Sequence, residues 1–487
     1  MSEPPARAAS TNRLREGVLG VGAVTFFVVS AAGPLIAIAG GYPVGMLLGD
    51  GAGIPSALLC CTAILLVFTA GYTAMARHVV TAGGFYSFAA RGLGGVAGGA
   101  AALLAVVAYN AVQVGLYGMF GAALRALLQQ YAGVALPWYD YALLAVVSVA
   151  VLGYRQVDLS AKILGVLVVG EYLAVLILDA AILRRGGANG ITLTSFTPAA
   201  AFSGSPAIAI LFCFASFMGF EATTIYGEEA RDPERTIPRA TYLSVVLIGA
   251  FYAFSLWSLV IGAGAGQLVA HLKSLPDPTR FLFEMSDLYV GRWLSATMSV
   301  LFVTSVFAGL LAFHNASARY FYALGREGVL PAGLGRTHLR HSSPHAGSVL
   351  QTVIGAIVVV IFAATRADPI LTLFSWMTNV GTLAVIALMA LASAAVPAYF
   401  RRREQGPEGL IRTQLAPIIA GLALLGVLVL AIIHFDVLTG SPGLMSVALP
   451  AILPIAACLG AVRALHLRRT DPGRYRGLGL GMSIERP

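Results

Sequence analysis

The chain has 487 residues, 58% of them hydrophobic and only 11% charged, with a mean hydropathy of +0.83. A soluble domain carries about 25% charged residues, so a protein that covers itself with polar surface is excluded. The formal charge of +9 reads here as basic cytoplasmic loops at a lipid bilayer, and no nucleic-acid partner is expected.

Apolar runs of about 20 residues recur along the whole length, each able to cross a hydrocarbon core of about 30 Å. They lack the two-residue alternation of barrel strands, and lipid offers the backbone no partners. The predicted fold class is therefore an all-α polytopic membrane protein. Twelve spans are predicted, at residues 18–44, 53–76, 96–128, 141–154, 161–183, 206–227, 241–261, 293–324, 348–364, 370–399, 415–435 and 444–466. The fourth is short, and the third and eighth are long enough to tilt or project. Residues 1–17 are expected to be a disordered cytoplasmic tail, followed by a retained span rather than a cleaved leader. Placing both termini in the cytoplasm puts 24 of the 31 Lys and Arg residues on the inside and 7 elsewhere, the asymmetry expected of a cell-membrane protein.

The four cysteines (Cys60, Cys61, Cys213, Cys458) lie in apolar runs without metal-ligand spacing and read as small core residues. The tract His338 to His345 lacks a helical His pair or a nearby acid or thiol and reads as a solvated loop. No cofactor or metal is expected, and no nucleotide-binding P-loop occurs. Residues 77–94 suit an interfacial helix or gating loop, and residues 264–291 an outer connection able to cover an entrance.

Two spans are interrupted. The first carries Ala31, Ala32, Gly33 and Pro34; Pro34 has no N–H and its ring opposes a continuous helix, while Gly33 permits unusual backbone angles. Freed N–H groups there suit a carboxylate, and freed carbonyls an ammonium, as in a zwitterionic amino acid; the alternative is a simple proline kink. The sixth carries Phe214, Ala215, Ser216, Gly219 and Phe220. An unwound stretch here would face the first break, with an aromatic side chain able to cover a substrate, or its small residues merely allow close packing. Paired interruptions in two halves point to a transporter's binding site.

Ionisable groups inside spans are costly and are functional candidates. Glu171 stands in the middle of the fifth span and is read as a coupling or gating group that binds and releases a proton, or else as a structural carboxyl. Glu221, beside the sixth-span break, is read as a brace for unwound backbone, with direct binding of an amine as the alternative. The residues between Glu228 and Arg239 suit a charge network fixing a cytoplasmic elbow. In span three, Tyr109, Asn110, Gln113 and Tyr117 fall mostly along one helical face and line either a cavity or a helix contact. Thr304 and Ser305 in span eight could replace a cation's oxygen ligands or bond back to helix carbonyls. Trp376 and Asn379 in span ten are further candidates.

The stretch Phe217-Met-Gly-Phe-Glu-Ala222, with Glu228-Glu229 and Asp232-Pro-Glu-Arg-Thr-Ile-Pro-Arg239, resembles the sixth-helix signature of the amino acid–polyamine–organocation (APC) permeases. Ala82-Gly-Gly-Phe-Tyr, Asn315-Ala-Ser-Ala-Arg319 and Gly325-Arg-Glu-Gly-Val-Leu-Pro331 also resemble that family's motifs. The resemblance implies a leucine-transporter-like fold, with inverted repeats at 18–185 and 206–399, peripheral spans at 414–467 and a cytoplasmic tail at 468–487. It implies a site between spans one and six, with contributions from three, eight and ten. The chain departs from the family's usual Gly-x-Gly break in span one. Glu171 falls where some proton-coupled relatives carry a lysine, close to a sodium site of sodium-coupled cousins. The expected activity is secondary active import of an amino acid by proton symport, with polyamine or organic-amine transport as the alternative and a membrane nutrient sensor the less favoured one; no enzyme activity is expected.

Overall fold

The computed structural model describes residues 19–79, 84–155, 161–221, 223, 230–336, 344–402 and 408–479. The predicted tail and residues 338–343 of the histidine tract lie outside these, as do Glu228, Glu229 and part of the Ala82-Gly-Gly motif. Among the described residues every extended element is a helix. Nine helices among the described residues are long and apolar enough to cross a membrane: Gly51–Ala76, Gly95–Ala132, Leu164–Arg185, Pro233–Ala263, Arg292–Glu327, His345–Ala364, Pro369–Arg401, Ile411–Thr439 and Leu444–Thr470. Four shorter apolar helices, Val21–Ser30, Ile36–Leu48, Trp138–Tyr154 and Pro206–Ala215, supply the two interrupted spans and the short fourth one. The chain is thus a multi-pass membrane protein, with twelve spans represented among the described residues.

The spans pair in a regular way. Span two packs on seven, three on eight, and four on nine, so each contact joins elements five places apart. The contact of one with seven is matched by that of six with two, and that of three with ten by eight with five. This is the pairing expected of two repeats related by a pseudo-twofold axis. Spans eleven and twelve are peripheral: eleven lies on two and ten, twelve on three. Their outer faces leave Leu422, Leu459 and Val462 exposed, as a lipid surface requires.

Close packing depends on glycine where backbones touch. A Cβ on Gly460 of span twelve would lie 2.1 Å from the Gly99 carbonyl oxygen of span three. A Cβ on Gly115 would lie 2.5 Å from Thr378 Oγ1 of span ten. The loop before span three forms a helix, Phe85–Leu93, held between positive-φ glycines 84 and 94 and packed on spans three and ten. The connection between spans seven and eight forms two short helices, Leu268–Ser274 and Phe281–Tyr289, that contact the second half of span one.

The acids Glu228 and Glu229 of the expected charge network lie outside the described residues, and the described part of the elbow before span seven is held chiefly by backbone. Among the described residues its ion pair is Arg235 to Asp232, long at 3.8 Å and exposed. The anchor is backbone: Arg231 N–H donates to the Leu19 carbonyl at 2.9 Å, beside a parallel bridge of Leu19 with Ala230.

Replacing Gly460 by Val should separate spans twelve and three and destabilise the fold by about 1–3 kcal/mol, the usual cost of overpacking. Gly426→Val, at a position with nothing within 4 Å, should be neutral. Thermal unfolding of the two detergent-purified variants, followed by intrinsic fluorescence, makes the comparison.

Candidate functional site

Both expected breaks are present. In span one the first helix ends at Ala31, and Gly33 adopts φ +54, a left-handed conformation that favours glycine. The Gly33 N–H turns back to the Ser30 carbonyl at 3.4 Å, and Pro34 has none to offer. The next free donor, Leu35 N–H, is met by Glu171 Oε2 at 3.1 Å. The same oxygen accepts the Ser305 hydroxyl, also at 3.1 Å. Glu171 therefore ties span five to the break in span one and to span eight. On the other side of the break, the Tyr252 hydroxyl donates to the Ala32 carbonyl at 3.2 Å and that of Tyr172 to the Val29 carbonyl at 3.3 Å.

Span six ends as a helix at Ala215 and turns through Ser216 to Gly219, where φ is +102. Glu221 folds back on this turn: its Oε2 accepts the Gly219 N–H at 2.9 Å and its Oε1 accepts the Tyr109 hydroxyl at 2.8 Å. The Glu221 carbonyl accepts from Tyr72 at 3.0 Å. The carbonyls of Phe214 and Ala215 each accept one turn bond, from Phe217 and Met218, which leaves each oxygen a second lone pair.

The two breaks border a cavity of about 370 Å³ between spans one, three, five, six, eight and ten. Ala32, Gly33, Ala215, Ser216, Glu171, Thr304 and Ser305, all singled out from the sequence, line it. Its apolar wall includes Ile36, Leu116, Phe212, Met218, Phe313 and Phe374. Among the described residues no Lys, Arg or His lines it, and Glu171 is its one carboxylate. Along spans one and five the lining runs from the break and Glu171 back to Phe26 and Leu164, toward the membrane face on which both spans begin.

Other sequence candidates sit elsewhere. Pro34 and Gly219 shape the breaks but are not in the cavity wall, and the backbone of Ala31 closes the first helix. Phe214 is buried core, and Phe220 joins a cluster with Phe68, Tyr72 and Phe85 at centroid distances of 6.1, 6.2 and 6.4 Å. The aromatic side chain that span six presents to the cavity is Phe212. Tyr109 is taken by Glu221, and Asn110 bonds back to the Val106 carbonyl at 2.8 Å. Thr304 lines the cavity while bonding to the Leu301 carbonyl at 2.9 Å. Trp376 donates to the Leu438 carbonyl and Asn379 to that of Ser375.

The sequence reading missed several polar groups. Tyr42 lines the cavity, and its hydroxyl donates to Ser216 Oγ at 2.6 Å, joining the two broken spans directly. Asp179, two turns beyond Glu171 on span five, accepts from Ser255 at 2.6 Å. His314 of span eight lies 3.3 Å from Gln113 and 2.8 Å from Ser348, and Gln113 also bonds Tyr117 and Gln351. Both Asp179 and His314 are titratable residues in apolar runs, a signal available beforehand.

This fold and cavity define the class: a multi-pass membrane transporter. The chain belongs to the amino acid permease family, whose model matches residues 19–456. It is similar to the low-affinity putrescine importer PlaP of Escherichia coli K12, 29% identical over 150 residues, or 31% of each chain. It is also similar to the branched-chain amino acid permease BcaP of Lactococcus lactis, 26% identical over 270 residues, or 54% of each. The matched stretches thus span about a third to a half of these relatives. Among solved structures, a mutant of the Eremococcus coleocola manganese transporter shares the fold, with a TM-score of 0.56 and 14% identity over 94% of this chain and 98% of that one.

Removing the Glu221 carboxylate by Glu221→Ala strands a buried hydroxyl and a backbone N–H, and should cost about 2–4 kcal/mol. Tyr109→Phe removes one partner and should cost about 1 kcal/mol. Melting temperatures in detergent should rank wild type above Tyr109→Phe, and Tyr109→Phe above Glu221→Ala.

Proposed function

We propose that this permease imports an amino acid with an apolar side chain by alternating access, in symport with a proton carried by Glu171, and that both termini are cytoplasmic. The observation that carries the reading is the Glu171 carboxylate on the Leu35 N–H, the donor nearest the break where a substrate carboxylate would be held. Two carboxylates cannot share that place cheaply. At 4 Å and an effective dielectric constant of 20 their repulsion is about 4 kcal/mol, near three orders of magnitude in affinity. Protonation of Glu171 removes the repulsion and releases the N–H to the substrate. Departure of the substrate lets Glu171 ionise and return. Binding of substrate and of proton thereby favour one another, which is the requirement for symport.

The rest of the cavity supports the substrate class. The second lone pair of the Ala215 carbonyl suits an ammonium, with Ser216 on the adjoining wall. Ile36, Leu116, Phe212 and Met218 suit an aliphatic or aromatic side chain, and a similar protein is a branched-chain amino acid permease. Transport of an organic monoamine is the second reading, because the cavity's single carboxylate has no cationic side chain among its described lining. A diamine would want two carboxylates and fits less well.

Uptake by reconstituted proteoliposomes, against a panel of amino acids and amines and with pH or sodium gradients, tests this. Leucine-like substrates should accumulate about tenfold or more with an inward proton gradient, and Glu171→Gln should abolish accumulation while retaining binding. Substrate affinity of the wild type should fall as pH rises, whereas that of Glu171→Gln should be flat. Accumulation that follows sodium and ignores pH would exclude proton symport, and uptake restricted to amines would establish the second reading.

A further inference from the structure

At the membrane face where span two ends and span seven begins, a groove of about 550 Å³ is lined by four arginines, Arg77, Arg235, Arg239 and Arg412. They come from three segments. Arg77 follows span two, Arg235 and Arg239 stand four residues apart on the first turns of span seven, and Arg412 is on the first turn of span eleven. No Asp or Glu is among the described residues of the lining. The long pair of Arg235 with Asp232 is exposed and worth little. Among the described residues Arg77, Arg239 and Arg412 have no ion pair, and Arg77 Nε is buried without a hydrogen-bond partner. Among the described residues these four guanidinium groups share one groove with only the long Asp232 pair as counter-charge, and like charges so placed repel one another unless an anion joins them.

The groove is not basic throughout. Leu243 and Val246, one and two turns further along span seven from Arg239, line it and are 41% and 45% exposed. Its charged rim thus passes directly onto the apolar flank of the transmembrane bundle. A free phosphate would use the arginines and leave that wall idle. A molecule with an anionic head and a hydrocarbon body uses both. Guanidinium groups hold phosphate oxygens through paired N–H bonds, and basic pockets between spans suit phospholipid headgroups.

We propose that the groove between spans two, seven and eleven binds the headgroup phosphate of an anionic phospholipid, with Leu243 and Val246 bedding the start of its acyl chain. The elbow carries the effect inward. The groove's arginines on span seven follow Arg231 by four and eight residues, and the Arg231 backbone holds Leu19 at the start of span one. A lipid here clamps the base of the span that carries the first break.

Native mass spectrometry of the purified protein with dioleoyl phosphatidylglycerol or dioleoyl phosphatidylcholine tests the site, with inorganic phosphate as competitor. Phosphatidylglycerol should bind in preference to phosphatidylcholine. The double variant Arg239→Gln/Arg412→Gln should weaken it about thirtyfold, at about a factor of five per arginine. The double Lys variant should recover most of the binding, and phosphatidylcholine binding should stay the same throughout. Should the double variant not purify as folded protein, Arg239→Gln and Arg412→Gln alone should each cost about fivefold. Equal binding of the two lipids by the wild type, or undiminished phosphatidylglycerol binding by the variants, would overturn the proposal. Displacement of the lipid by millimolar inorganic phosphate would overturn it too, making the groove a site for soluble anions.

Discussion

A helix broken at membrane depth frees backbone groups that lipid cannot satisfy, at several kcal/mol for each one left unpaired. Most of this structure's polar architecture answers that constraint. At the sixth-span break the answer is local: Glu221 folds back onto Gly219 two residues away and is steadied by Tyr109. At the first-span break it is remote: Glu171 arrives from span five to accept the Leu35 N–H. The distinction matters. Glu221 is buried outside the cavity wall and its bond belongs to the turn itself, whereas Glu171 lines the cavity, where on the proposed reading the substrate carboxylate would compete for the same donor.

Around these breaks stands a frame held by backbone contact. Spans three, ten and twelve meet through Gly99, Gly115 and Gly460, where even one methyl group would collide. Spans three, eight and nine are also joined by the buried cluster of Gln113, His314, Gln351 and Ser348. Close-packed interfaces of this kind favour discrete arrangements over gradual deformation. Spans one and six, by contrast, each hold a positive-φ glycine at their midpoint and join directly through Tyr42 and Ser216.

The spans and both breaks were legible because they depend on local composition: apolar length gives the first, and glycine or proline at membrane depth the second. Glu171 was legible as a carboxyl in an apolar run, but its partner was not, since Leu35 is 136 residues distant. Tyr109 shows the limit of helical periodicity. Its face of span three was read as lining either a cavity or a helix contact, because spacing does not say which neighbour that face meets, and Glu221 takes its hydroxyl. The aromatic wall of span six was placed between two and eight residues late for the same reason. Phe212, Phe214 and Phe220 are alike in sequence; the rotation of the helix sets Phe212 rather than Phe214 on the cavity, and the turn after Ala215 carries Phe220 away from it. The elbow arginines were read as partners of nearby acids, and Arg235 does reach Asp232, but spacing does not show that Arg235 and Arg239 share a groove with Arg77 and Arg412 from distant segments.

The bonds around Gly33 also constrain how a transport cycle on the proposed reading would proceed. Three ties hold the first half of span one: Tyr172 to Val29, Tyr252 to Ala32, and the backbone link of Leu19 to Arg231. The second half is held by Leu35 to Glu171 and by Tyr42 to Ser216. A swing of the first half about Gly33 would break the two tyrosine bonds and could leave the glutamate bond intact. Movement of the second half with span six would preserve Tyr42 to Ser216 and strain Leu35 to Glu171. On the proposed reading, proton uptake by Glu171 would weaken only the latter tie, so protonation would select which half of span one is released. Glu171 would then need no contact with the substrate throughout the cycle, because its hold on one side of the hinge would be sufficient.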